Sequence, residues 1–152
     1  MGKIDKKNTN IEEKINKFVK ESLSERSGDN PFITLGDLPK SAVDAILKLS
    51  GIDLTGYKCV IEKSSIIHTW SRHGEQSNDR TPLDYSDFIF IPLIINEFDS
   101  IKHGSKTGPN GEKRIIIEKK LPGEIFFVTI QEIRKGRKSV AFISLRKRKT
   151  RL

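Results

Sequence analysis

The chain has 152 residues, a formal net charge of +8 and 35% hydrophobic residues, a length and balance that suit one domain with its own core. No apolar run approaches the roughly 20 residues of a membrane helix, and the basic start from Met1 to Asn10 lacks the apolar stretch of a secretory signal. The single cysteine, Cys59, excludes an internal disulfide and a cysteine-rich zinc site, and its apolar setting predicts an inert thiol.

Residues 1–10 read as a disordered basic leader. Ile11, Ile15, Phe18, Val19 and Leu23 recur at helical spacing and predict an amphipathic helix over 11–23. Together, residues 1–30 read as a leader and linker ahead of a domain at 31–152. Residues 24–31 carry loop chemistry, and Phe32, Ile33 and Leu35 suggest a short edge strand. Ser41 can cap a helix that runs to Ser50 and stops at Gly51. Tyr57 to Ile61 reads as a short strand or extended segment. Ser64 or Ser65 then caps a helix over 65–73 that ends at Gly74. Pro92 divides the helical pattern of Asp84 to Glu97 into two short helices.

After Asp99 the apolar period changes from 3.6 to 2. Strands are expected from Ser100, over Arg114 to Lys120, over Ile125 to Arg134 and over Lys138 to Arg146. They are separated by Gly108-Pro-Asn-Gly111, Pro122-Gly123 and Lys135-Gly-Arg137, all turn sequences. Helices first and strands afterwards predict an α+β fold, with N-terminal helices packed on a four-stranded antiparallel β-meander.

The charge is concentrated at one end. From Arg134 to Leu152 nine residues are Lys or Arg and none is acidic, while the remainder of the chain is close to neutral. A solvated tail is the plain reading of such a run. Because it continues an apolar strand pattern, it also fits a fixed surface for a polyanion such as a phosphate backbone.

Polar chemistry is densest in Ile66-Ile-His-Thr-Trp-Ser-Arg-His73. His68 and Arg72 are four apart and share a helix face. An imidazole shuttles protons near neutral pH, and a guanidinium grips phosphate. The plainer reading is a core helix built on Ile66, Ile67 and Trp70, with His73 favoured at its C-terminus by the dipole. A histidine-only metal site is disfavoured, since His68 and His73 are five apart and diverge. Ser144 interrupts the last apolar strand. Strict alternation puts Val140, Phe142, Ser144 and Arg146 on one face, and Ala141, Ile143 and Leu145 on the core face. Glu118-Lys119-Lys120 reads first as a solvated strand end, with Lys119 on the face of Ile115 and Ile117. Phe126, Phe127 and Phe142 are candidates for stacking on bases, each also a natural core residue.

In order, Leu54-Thr-Gly-Tyr57, His68-Thr-Trp-Ser-Arg-His73, Asp87-Phe-Ile-Phe-Ile-Pro92, Asp99-Ser-Ile and Ser144 in the last strand resemble the phage-associated barnase/EndoU/colicin/RelE-like (BECR) nuclease domains. The resemblance spans about residues 35–150. It implies a BECR-like ribonuclease fold and a metal-independent endoribonuclease, phage- or toxin-associated, in which the 2′-hydroxyl of RNA attacks the adjacent phosphate. His68 then looks like the leading catalytic histidine, Arg72 and His73 like a second basic pair, and Ser144 like the Ser/Thr of the terminal strand. Lys119 matches a basic residue of the second strand. A Tyr often found after that Ser/Thr is replaced here by Leu145. Arg146, Lys147 and Lys120 are expected to bind substrate. The resemblance implies no cofactor and no metal. The expected partners are RNA and an acidic immunity or antitoxin protein, with the chain a monomer in the cytoplasm or delivered into a host cell. The competing class is a non-catalytic nucleic-acid-binding or protein-binding module that uses the basic C-terminal face.

Overall fold

The computed structural model describes residues 6–149. It contains the helices α1 (Lys6–Ser24), α2 (Lys40–Ser50), α3 (Lys63–His73) and α4 (Ile91–Asn96). The strands are β1 (Phe32–Asp37), β2 (Lys58–Glu62), β3 (Ser100–His103), β4 (Arg114–Leu121), β5 (Ile125–Arg134) and β6 (Ser139–Lys149). A 3-10 turn over Tyr85–Phe90 precedes α4, with Pro92 in the first turn of that helix, where its missing donor costs nothing. Among the described residues no helix is long and apolar enough to cross a membrane.

The strands form one six-stranded sheet in the order β1-β2-β6-β5-β4-β3. The expected four-stranded sheet is therefore too small. β1 and β2 pair antiparallel, and β2 runs parallel to β6. The period-2 signal found the four C-terminal strands, whose successive pairs are antiparallel. It could not reveal that two short N-terminal strands join them, because strand pairing is a tertiary choice.

One sheet face is covered by helices. Ile15, Phe18 and Val19 of α1, Ala42 and Ile46 of α2, and Phe88, Ile91 and Ile94 meet Ile115, Ile117, Phe127, Phe142 and Leu145 in one core. α1, from the segment ahead of residue 31, packs into this same core through Ile15, Phe18 and Val19. The first helix begins at Lys6, ahead of the expected Ile11, and residues 1–5 of the expected leader lie outside the described residues. The other sheet face is open.

Three local devices place the residues discussed below. First, α3 starts at Lys63, without a serine cap. Its first amides are held from a distant loop: Lys63 N–H donates to the Pro31 carbonyl (2.9 Å) and Ser64 N–H to Asn30 Oδ1 (2.8 Å). Second, β2 ends at Glu62 while β6 continues, so α3 packs against the part of β6 beyond the β2 pairing. Third, a β-bulge lies at Ile143, since Ile130 pairs with Ser144 but Gln131 pairs with Phe142.

The bulge overturns the strict alternation expected for β6. Val140 and Phe142, expected outward, reach the core together with Leu145, while Ser144 and Arg146 face the open side as expected. Thr129 serves the disturbed ladder: its hydroxyl donates to the Ser144 carbonyl (2.9 Å) and accepts from Gln131 Nε2 (2.9 Å). Thr129→Val keeps the volume and strands both partners in the buried interior, where Thr129 and Gln131 are almost fully enclosed. A loss of about 2 kcal/mol is expected in urea unfolding.

Candidate active site

A cleft opens where the start of α3, the end of β2 and the open face of β4 and β5 converge. His68, Arg114, Glu132, Arg134, Glu62 and the bulge residue Ile143 line it, with Pro109 at its rim. The carboxylate of Glu132 is its fixed point, with a side chain only 2% exposed. Its Oε2 accepts from Arg114 Nε (3.0 Å) and its Oε1 from Arg134 Nε (2.9 Å). Arg134 Nη1 also donates to Glu62 Oε1 (2.8 Å). The register explains the cluster: Arg114 pairs directly with Glu132 across β4 and β5, and Arg134 stands two residues further on the same face. The loop before β4 closes over the carboxylate so tightly that a Cβ on Gly108 would fall 2.4 Å from Glu132 Oε2.

Among the described residues, both guanidiniums keep unused donors. Arg114 spends only Nε, leaving its terminal N–H groups for an incoming acceptor, and Arg134 spends Nε and Nη1. Partial burial works against the charge on Arg134, yet its bonds to Glu132 and Glu62 prevail and raise its pKa above the ordinary arginine value. His68 lies one helical turn before Arg72, and both are exposed. Partial burial is the main force that depresses the His68 pKa, reinforced by the charges of Arg72, His73 and Arg114. A neutral imidazole near pH 7 is an available proton acceptor. Among the described residues, no three His, Cys, Asp or Glu side chains converge as a metal site.

The expected residues are divided between the two sheet faces. His68 reaches the cleft, and Arg72 follows it on the same face of α3. Ser144 stands on the open face next to Ile143 but is not among the residues that line the cleft, and its hydroxyl makes no hydrogen bond among the described residues. His73 turns away: Nδ1 pairs with Asp79 Oδ2 (2.8 Å), and its carbonyl accepts from Leu83 N–H (2.7 Å), which pins the 74–83 loop. Lys119 lies on the helix-covered face, in register with the core residue Phe127 and 3.7 Å from Asp99. Lys147 is on that face too, bonded to Asp87 at 2.7 Å, where it anchors the 3-10 turn. Neither lysine meets His68. Successive strand residues face opposite ways, so Lys119 shares the face of Ile115 and Ile117 as expected, and Lys147 is turned away from the open face that Arg146 and Arg148 reach.

On the open face Arg146 is exposed and carries no ion pair among the described residues. Arg148 and Lys120 both approach the ring of Phe126, at 5.4 and 5.9 Å from its centroid. Phe127 and Phe142 are core residues. The Cys59 thiol is buried, and burial, aided by Asp37, pushes it up to about 12, so it is inert as expected.

Arg114, Glu132 and Arg134 were missed as site residues. Glu132 and Arg134 did leave a trace, as a carboxylate and a guanidinium at i and i+2 in an apolar strand. Arg114 could be added only from the β4–β5 register.

Fold and cleft define an α+β protein in which an imidazole of α3 and two guanidiniums of the open sheet face line one cleft. The chain belongs to the family described as phage-Barnase-EndoU-ColicinE5/D-RelE like nuclease3, whose model matches residues 40–152, and it is therefore a nuclease-family protein. No curated protein and no solved structure matches it significantly.

Glu132→Gln removes the charge that orients both arginines while keeping the side-chain shape. About 2 kcal/mol of stability is expected to be lost in urea unfolding, together with most nuclease activity.

Proposed function

We propose that the chain is a metal-independent endoribonuclease in which the 2′-hydroxyl of RNA attacks its own phosphate. The observation that carries this reading is the His68 imidazole, its pKa depressed by burial and neighbouring cations, in a cleft that Arg114 and Arg134 also line. His68 accepts the 2′-hydroxyl proton. The 2′-oxygen–phosphorus bond forms and the phosphorus–5′-oxygen bond breaks, and the proton taken up is returned to the departing 5′-oxygen. The products are a 2′,3′-cyclic phosphate and a 5′-hydroxyl.

Arg114 and Arg134 stabilise the charge that builds on the phosphorane oxygens, held in place by Glu132. Arg72 clamps a neighbouring phosphate. The Ser144 hydroxyl donates to a non-bridging oxygen, a role supported by its place on the open face and its lack of a hydrogen bond among the described residues. Arg146, Arg148 and Lys120 carry the flanking strand across the open face. The protein works as a monomer, and an acidic immunity or antitoxin protein would be complementary to the same cationic face. The cations around Phe126 also suit a module that binds RNA without cutting it, and turnover separates the two readings.

His68→Ala is expected to lower RNA cleavage by ~100- to 10,000-fold with an unchanged unfolding midpoint. Near-normal cleavage by this variant would reject the assignment. An all-deoxy oligonucleotide should remain intact, since it lacks the nucleophile, and EDTA should not slow RNA cleavage.

The pH profile gives a separate check. A base must be unprotonated, so kcat/KM should rise with pH through an acid limb that lies below the ordinary histidine value of 6.5. Removing the neighbouring charge with Arg72→Gln should move that limb upward, toward 6.5.

A further inference from the structure

Phe32 is 56% exposed, an unusual position for a large apolar ring on an edge strand. Its register partner is Glu62, so its ring is on the open sheet face. It lines a shallow groove with Val60, Glu62, Arg134 and Arg137. Glu62 and Arg134 also line the His68 cleft, so groove and cleft adjoin. Arg137 has no ion pair among the described residues. Phe32 is also held in place. The Pro31 carbonyl and the Asn30 side chain before it receive the first two amides of α3, the helix that carries His68. These bonds tie the backbone just before Phe32 to the start of that helix.

An exposed ring beside an unpaired guanidinium matches a nucleotide, with the base stacked on the ring and its phosphate on the cation. A base within a duplex has both faces covered and offers nothing to such a ring. We propose that Phe32 and Arg137 form a shelf for an unpaired base next to the cleaved phosphate, so that the substrate is single-stranded RNA. This rests on the ribonuclease reading and gives it a substrate class.

The test measures binding and turnover separately. Binding uses a fluorescent single-stranded 2′-O-methyl oligoribonucleotide, which cannot be cleaved through its blocked 2′-oxygen, followed by anisotropy on the full chain. Phe32→Ala should weaken binding by about 10-fold or more, and Phe32→Trp should preserve it. A fully paired duplex of the same length should bind more weakly and be indifferent to both changes. Equal binding by Phe32→Ala and the unaltered chain, failure of Trp to preserve affinity, or equal losses on duplex and single strand would each overturn the shelf. Cleavage of unmodified RNA by the unaltered chain is followed in parallel. Binding that depends on Phe32 without any cleavage upholds the shelf and defeats the ribonuclease reading. Cleavage with binding that ignores Phe32 defeats the shelf alone. Since the ring is largely in solvent, thermal unfolding of both variants should match that of the unaltered chain.

Discussion

The buried carboxylate of Glu132 between two guanidiniums is the interaction on which the rest of the cleft depends. A carboxylate this enclosed is tolerated only when its charge is matched and its oxygens are hydrogen-bonded. Arg114 and Arg134 meet both requirements, one at each oxygen. The same bonds fix the two cations in direction. A surface arginine loses much side-chain entropy when it binds phosphate, whereas these two are already ordered and keep donors free. Arg134 extends the network to Glu62, which ends β2 and precedes α3. The carboxylate thus ties the middle of the sheet to the helix that carries His68.

The early end of β2 gives that helix its place. β6 runs on past its parallel neighbour, and α3 occupies the position that a longer strand would have taken. A helix there can bury Ile66 and Thr69 while His68 stays exposed. The bulge at Ile143 belongs to the same junction. It returns Leu145 to the core and turns Ser144 outward. The broken ladder is made good from inside by Thr129, at the cost of burying a hydroxyl and an amide that satisfy each other.

Charge alone is a poor guide to this surface. The basic run near the C-terminus looked like a single patch, but a strand sends alternate residues to opposite faces. Lys147 became a structural ion pair with Asp87 on the covered face, while Arg146 and Arg148 reached the open one. The family relation is to nucleases and covers residues 40–152. Phe32 lies before that segment and shares Glu62 and Arg134 with the cleft, so β1 is continuous with the surface that the family segment builds.

Local sequence determined the elements and their punctuation. Gly51 ends α2 at a positive φ of 78°, Pro92 opens a helix, and β5 runs from Ile125 to Arg134, all legible because they depend on neighbours a few residues away. His68 was legible as a candidate for the same reason, since its spacing from Arg72 is a property of one helix. What only the tertiary structure decided was which residues join His68. Arg114 meets Glu132 through a strand register, Glu62 meets Arg134 across 72 residues of sequence, and a single bulge puts Val140 and Phe142 on the same face as Leu145. Periodicity is a local property, whereas register and bulges are set by how much apolar surface each alternative buries across the whole sheet.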